Sequence, residues 1–469
     1  MGLSRRDFLS ALLATPIAAA RPGHARNAGG IFLSDAERLQ LGFPIPARLW
    51  HGDSSVAAAY REASPQLREG RPDRDRDQRV STLRRDTNWR EYLTNTFPDL
   101  KRHFVFEYYP WYGTNPWVHW DEAERRPPLD IAARAYPLLG PYDSRDVRVL
   151  EQHARWMASA GVGAINVSWW GRGTWTDDAT PVLMDVMRAH DIHVTFHLEP
   201  YHANRGTSYA SDVLYLVKTY GERRRWDALL LLKNADGVAA PVFKSFRTIL
   251  PRQVTDCHGI VHQVPDYMEA NAWRVQTNRV RQELRGDFER VTLLADSLDM
   301  GATRAAGFDG IAIYDNFVKP ETWRGHAFNA SNAGLLFSFN TNPGFDGIEP
   351  RTVPADSCYR PLPFEPPVED LDFASRAGRA AAARGAHERI VESFTTTVAL
   401  QCNLDLSNVK RGFFLVYINS FNEWHEGTQF EPMRNAADVP EEVRPFGYHN
   451  VDVGSGRLTA LTEQIGRVN

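Results

Sequence analysis

From His103 to Asn419, short apolar runs alternate with stretches of helical periodicity, and this rhythm constrains the fold more than any other feature of the chain. The runs are His103–Tyr108, Val162–Ser168, Ile192–His197, Ala239–Phe246, Val291–Ala295, Asp309–Tyr314, Ala333–Phe339 and Phe413–Asn419. Their length and apolar content read as buried strands. Between the first two, Asp143 or Ser144 can cap a helix with apolar positions at Val147, Leu150, Ala154 and Met157, and Gly161 ends it. Pro181–His190, Ser211–Tyr220 and Ala374–Leu400 also read as helices, while 252–289 is ambiguous. Eight strands alternating with helices predict a closed (β/α)8 TIM barrel with its chemistry at the C-terminal ends of the strands. An open doubly wound sheet would place a glycine-rich phosphate turn after the first strand; the turn here is Tyr109-Pro110-Trp111-Tyr112-Gly113.

Several strand ends share one character. The first runs into Tyr109, Trp111 and Tyr112, with His119 and Trp120 soon after. The second ends at Trp169-Trp170, the third at His197-Leu198-Glu199-Pro200-Tyr201, and the sixth at Tyr314-Asp315-Asn316. Core aromatics alternate along strands; these pile up just beyond them. Any one of them reads as packing, but five ends on one barrel face read as a surface for flat rings. The eighth strand leads into Asn422-Glu423-Trp424-His425-Glu426, two carboxylates three positions apart among aromatic and amide side chains. Cleaving a glycosidic bond needs one carboxyl that donates a proton and another that stays charged, and aromatic faces to hold the sugar. The plainer alternative is a helix-start box, in which a glutamate satisfies backbone N–H groups.

Other chemistries fit less well. His425-Glu426 lacks the second histidine of a zinc-protease motif, and there is no Gly-x-Ser-x-Gly elbow. His197 and Glu199 share one strand face, as metal ligands do, but sugar contacts suit them better. No metal or cofactor is expected. A net charge of −4 offers no basic field for nucleic acid. The three cysteines, Cys257, Cys358 and Cys402, are too scattered for a metal knuckle; one disulfide with one thiol left over is possible, and the pairing is open.

The N-terminus reads as an address. Ser4-Arg5-Arg6-Asp7-Phe8-Leu9 is a twin-arginine pattern, followed by an apolar run to Ala20, with cleavage after Ala20 or Ala25. Residues 1–25 are therefore expected to engage the twin-arginine translocase and deliver the protein to the periplasm or beyond. No other segment approaches the ~20 apolar residues of a membrane span, so no stable insertion is expected after signal removal. Residues 26–100 look unlike the rest, with Arg and Asp alternating from Arg68 to Arg79, and read as a charged extension. The barrel is assigned to 101–465.

The strand-end motifs resemble glycoside hydrolase family 99, the endo-acting α-mannosidases and α-mannanases. The matching stretches are Tyr108–Gly113, His119-Trp120, Tyr136–Gly140, Val167–Gly171, Phe196–Tyr201 and Ser420–Gln429, in order along nearly the whole barrel. The resemblance implies a (β/α)8 barrel whose open groove cuts inside mannose-containing oligosaccharides or polysaccharides with retention of configuration. It implies that Glu423 is the base and Glu426 the acid. The base draws the proton from the sugar's own 2-hydroxyl, whose oxygen attacks the anomeric carbon to give a 1,2-anhydro sugar. The acid protonates the leaving oxygen and then activates water. Substrate contacts are expected from Tyr109, Trp111, Tyr112, His119, Trp120, Trp169, Trp170, His197, Glu199, Tyr201, Tyr314, Asn422 and Trp424. Two places depart from the family. The Gly-Pro-Gly-Tyr-type turn after the seventh strand is here Asn340-Thr341-Asn342-Pro343-Gly344-Phe345, and the fourth strand ends in Lys244-Ser245-Phe246 without the usual Tyr-Asp pair. A glycan-binding barrel without activity, a glycosidase for another α-linked polysaccharide and a metal-dependent hydrolase are the competing readings.

Overall fold

The computed structural model describes residues 89–201, 205–220 and 226–469. The twin-arginine segment and the charged stretch up to residue 88 lie outside the described residues. Eight parallel strands form the barrel: β1 (Phe104–Tyr108), β2 (Ala164–Trp169), β3 (His193–Leu198), β4 (Ala239–Ser245), β5 (Thr292–Ala295), β6 (Gly310–Ala312), β7 (Leu336–Ser338) and β8 (Val416–Ile418). Each coincides with one of the eight expected runs. Neighbours in sequence are neighbours in space from β1 to β7, and β8 pairs with β1 through Phe104↔Val416. A parallel bridge, Thr341↔Ile418, closes the ring between the β7 and β8 ends, with Thr341 N–H donating to Tyr417 O at 2.8 Å. The ring is thereby nearly closed around the mouth, as the barrel reading requires.

The strands are apolar almost throughout because both faces are covered. Outward side chains meet a ring of helices: α1 (Trp89–Thr96), α2 (Val147–Ser159), α3 (Trp175–Ala189), α4 (Arg205–Tyr220), α5 (Ala270–Leu284), α6 (Met300–Ala305), α7 (Pro320–Asn332), α8 (Arg376–Gln401) and α9 (Gly456–Gly466). Leu93 and Phe97 at the start join the barrel core, and Phe97 packs on His103 with ring centroids 4.7 Å apart. In α2 the stripe Leu150, Ala154 and Met157 is buried as expected, but the cap is Asp146, which accepts from Arg148 N–H. Ser144 is not available to cap, since its Oγ accepts from Tyr112 N–H at 3.1 Å, and Val147 is exposed. The ambiguous stretch 252–289 resolves into a hairpin, Gln253–Thr255 with Val261–Gln263, followed by α5.

Inside the barrel the composition changes with height. Val105, Ala164, Val242, Leu294, Ala312, Leu336 and Leu415 fill the lower layer. Two residues further along each strand the interior positions are Glu107, Asn166, Lys244, Asp296, Tyr314, Ser338 and Tyr417. The period of two keeps both sets on the inner face, so the strands present a dry base and a polar upper floor. Above it, a disulfide joins Cys257 at the hairpin tip to Cys358 in the long loop after β7, leaving Cys402 as a buried thiol. Among the described residues, no helix is long and apolar enough to cross a membrane.

Candidate active site

The turn after β8 is held from below before it presents anything. Asn422 is its anchor: its Oδ1 accepts from Tyr109 N–H at 2.8 Å and its Nδ2 donates to Tyr109 O at 3.0 Å, tying the β8 end to the β1 end. Ser420 Oγ accepts from Glu423 N–H at 2.8 Å and meets Thr428 Oγ1 at 2.8 Å across the turn. Trp424 Nε1 donates to Glu431 at 2.9 Å; the same carboxylate takes Tyr142 OH at 2.7 Å and faces His153 Nε2 at 3.2 Å. Gly427 adopts φ +63 where the β7 loop crosses, and a Cβ there would lie 2.5 Å from Asp346 O. Asp346 and Ile348 N–H groups in turn bond the carbonyls of Glu426 and His425, both at 2.8 Å.

This frame sets the two glutamates in different surroundings. Glu423 is fully buried, with His425 Nδ1 3.5 Å from its Oε1. Burial alone would lower the His425 pKa, but its hydrogen bond to Glu423 and the charges of Glu122 and Glu423 outweigh it, so the net shift is upward. Glu426 is partly exposed, and its Oε2 accepts from Tyr314 OH at 3.3 Å. Tyr314 in turn accepts from Tyr109 OH at 2.6 Å. Burial first, then Tyr314 and Glu423, push the Tyr109 phenol well above its ordinary value, so it stays a donor. Tyr109 thus senses Glu423 electrostatically and reaches Glu426 through one tyrosine, which puts both carboxylates around one place.

The expected aromatics divide into two groups. Trp111 stacks on His119 with ring centroids 4.3 Å apart and stands 6.3 Å from Trp170. Tyr112 donates to Asn422 O at 3.1 Å, and its ring lies parallel to His425 at 5.8 Å. Glu199 accepts from Ser168 Oγ at 2.8 Å, which also accepts from Trp170 Nε1 at 3.0 Å. His197 faces Tyr314 at 5.6 Å between ring centroids. These residues, with Asn422, gather around the glutamates.

Trp120, Trp169, Tyr201 and Trp424, also expected as substrate contacts, stand in the packing of the fold. Trp169 follows the inward Ser168, so strand alternation turns it outward, where its Nε1 donates to Asp177 of α3 at 2.8 Å. Tyr201 packs on Trp169 and donates to Asp212 of α4. Trp120 stacks under Tyr112 at 4.1 Å and donates to Tyr142 O at 2.8 Å. Trp424 is committed to Glu431. All four use their polar atoms in the fold.

Several site residues escaped the sequence reading. Glu431, Tyr142 and His153 form the hub beneath Trp424, and Glu107, Lys244 and Asp296 form the charged floor. A lone lysine inside the apolar run Pro241-Val242-Phe243-Lys244 and a lone glutamate at the matching height of β1 were the available clue to a buried pair. Of groupings with metal-ligand chemistry among the described residues, Cys257, His258 and Cys358 lose both thiols to the disulfide, and His258 Nε2 lies 2.9 Å from Asp356 O. In the other, His119, Glu122 and His425, the mutual hydrogen bonds account for the approach: His119 Nδ1 is 3.0 Å from Glu122, and His425 Nε2 is 2.9 Å from His119 O.

The model of glycosyl hydrolase family 99 matches residues 99–228. A glycoprotein endo-alpha-1,2-mannosidase-like protein of Danio rerio is 26% identical over 397 residues, covering 75% of this chain and 77% of its own length. The glycoprotein endo-alpha-1,2-mannosidase of Rattus norvegicus is 26% identical over 378 residues, covering 72% and 70% respectively. Among solved structures, the GH99 endo-alpha-mannosidase of Bacteroides thetaiotaomicron superposes with a TM-score of 0.52 at 20% identity, over 78% of this chain and 97% of that one. The superposition carries the fold, and the resemblance to family 99 stands on the sequence matches.

Proposed function

From the premise that the chain is a glycoside hydrolase of the family 99 kind, we propose that it cuts within α-mannoside-containing glycans with retention of configuration. Glu423 is the base and Glu426 the acid. One observation carries this assignment: the two carboxylates of a single turn are split between a buried site beside a histidine of raised pKa and a partly exposed site that a tyrosine hydroxyl touches. A histidine that holds its proton more tightly than usual, next to Glu423, favours its carboxylate, as taking a proton from a sugar 2-hydroxyl requires. Glu426 has access to the leaving oxygen and, afterwards, to water. The 2-oxygen bonds to the anomeric carbon as the glycosidic bond breaks, and Glu426 gives its proton to the departing oxygen. Water then opens the anhydro ring at the anomeric carbon, returning one proton to Glu426 and leaving the 2-hydroxyl restored by Glu423. Trp111 and Trp170 supply rings for the sugar faces.

The end of β4 favours a second reading, a glycosidase for another α-linked polysaccharide. Phe246 lies 5.8 Å from His197 and 5.5 Å from Tyr314, ring to ring, where the family carries a polar pair. Incubation with defined α-linked manno- and gluco-oligosaccharides, with fragments identified by mass and the released anomer by NMR, separates the two. Internal cleavage of α-mannosides with a retained anomer is expected. Cleavage of α-glucans alone would transfer the assignment, and binding without cleavage of any glycan would make the protein a lectin-like barrel.

Export is part of the same proposal. The twin-arginine pattern supports delivery to the periplasm or outside, and the Cys257–Cys358 disulfide suits an oxidising compartment. Fractionation of cells carrying the full chain and an Arg5→Lys, Arg6→Lys variant tests it; equal export of both would remove the twin-arginine route.

A further inference from the structure

The charged floor under Tyr314 has no part in the mechanism above. Glu107 Oε1 accepts from Lys244 Nζ at 2.5 Å, and its Oε2 accepts from Asn166 Nδ2 at 2.8 Å. His197 Nδ1 lies 3.1 Å from the same Oε2. All four residues are buried. The other ring nitrogen, His197 Nε2, is buried with no hydrogen-bond partner, and the ring packs edge-on to Tyr314, whose hydroxyl touches Glu426. A buried polar nitrogen without a partner, on a ring packed against the tyrosine that touches Glu426, calls for a ligand atom.

We propose that Glu107, backed by Lys244, is a positioning residue that fixes His197 as the Nδ1–H tautomer, so that Nε2 offers a lone pair to a hydroxyl of the sugar held beside Glu426. The inference rests on the glycosidase reading for the identity of that hydroxyl, and on geometry alone for the tautomer. A carboxylate can only accept, so the atom facing Glu107 Oε2 must carry the proton. Burial works against ionisation of Glu107, yet the charge of Lys244, with the hydrogen bonds from His197 and Lys244, holds its pKa below the ordinary value. Nδ1 keeps its proton whether the ring is neutral or charged, and a neutral ring leaves Nε2 bare. Asp296, the other acid of this floor, is pushed up to about 6, chiefly by burial. It accepts from Tyr314 N–H at 3.1 Å. An acceptor at this place selects a free hydroxyl on the sugar over an ether or deoxy position, because only the hydroxyl brings a proton to share.

The test begins with the protein alone. With ¹⁵N-histidine labelling, long-range ¹H–¹⁵N correlation at pH 8 should show one ring, absent from His197→Gln, as the Nδ1–H tautomer. In Glu107→Gln the amide oxygen stays with Lys244 and the amide N–H turns to Nδ1, which must then accept. The His197 signal should switch to Nε2–H, and kcat/KM for glycan cleavage should fall about tenfold, the worth of one neutral hydrogen bond. In a His197→Ala background, Glu107→Gln should bring no further loss. An Nε2–H signal in the unmodified protein overturns the proposal even if Glu107→Gln fails to fold. Retention of Nδ1–H in Glu107→Gln, or losses that add, overturn it as well. Absence of cleavage on every glycan would remove the proposed function and the hydroxyl partner, while the spectrum still decides the tautomer.

Discussion

At the scale of single residues, the site works by giving chemically identical side chains unlike neighbours. Glu423→Gln and Glu426→Gln remove a base and an acid while preserving shape. Each is expected to lower turnover by several orders of magnitude with glycan binding retained, read by product release and by calorimetry on the same samples. Wild-type rates from either variant would cancel its role. His425→Asn tests the electrostatics more finely. The raised pKa of His425 means that this ring is charged over more of the pH range than an ordinary histidine. Removing that cation from beside a carboxylate base moves the acid limb of the pH–rate profile to higher pH. An unmoved acid limb would show that His425 does not tune the base. The pair of glutamates and most of their neighbours were legible in the sequence because they sit in one local motif. The hub at Glu431 was not, since nothing near it in sequence marks it apart from an ordinary surface glutamate.

At the scale of elements, the mouth of the barrel depends on loops that lock one another. The turn after β7 departs from the family's glycine-rich pattern, and asparagines replace the missing backbone freedom with side-chain bonds. Asn342 Oδ1 accepts from Gly344 N–H at 3.2 Å and from Arg389 Nε of α8 at 3.1 Å. Gly344 itself remains necessary: it holds φ +110, and a Cβ would lie 2.0 Å from Glu365 O. Gly344→Ala is expected to cost about 2–4 kcal/mol, from strain and overpacking together. Chemical denaturation measures it, and a cost below about 0.5 kcal/mol would mean that the turn rearranges freely. The strand and helix runs were readable from their periodicity. The cap of α2 was misread because Ser144 is claimed by Tyr112, a contact between segments that no local pattern reveals.

At the scale of the whole molecule, two features act on stability. The Cys257–Cys358 bridge spans a sequence separation of 101 and ties the hairpin after β4 to the loop after β7. Cys358→Ser is expected to lower stability by about 2–5 kcal/mol, through the chain freedom restored to the unfolded state. Equal denaturation midpoints of the variant and the oxidised protein would contradict this. Ionisation gives the second feature. Burial holds the His103 pKa down to about 4, against its bond to the Phe414 carbonyl, and Glu107 is held at about 2. In both cases the unfolded chain takes up the proton first as pH falls. Stability is therefore full above the ordinary values of 6.5 and 4.5 and is lost toward about 4 and 2 respectively. Asp296 acts in the opposite sense. Its folded pKa of about 6 lies above the ordinary 3.8, so it costs stability as pH rises between those values. Asp296→Asn is accordingly expected to raise the unfolding free energy measured in urea at pH 8, by up to about 3 kcal/mol, and to leave it little changed at pH 4. A gain at pH 4 as large as at pH 8 would rule out ionisation as the cause.

The sequence by itself determined the eight-strand rhythm, the barrel that follows from it, and the pair of glutamates just past the last strand. Each of these is written in residues that are neighbours along the chain, where period and spacing are visible. Only the tertiary structure decided which aromatics face the groove and which charges lie beneath it. Glu107 meets Lys244 across 137 positions, Tyr109 meets Tyr314 across 205, and Asn422 reaches Tyr109 across 313. A charge becomes a buried partner, and a tryptophan becomes a wall or a pillar, when the closing of the barrel sets what stands opposite. That opposition follows from strand register and inward or outward facing, which are properties of the ring of strands as a whole.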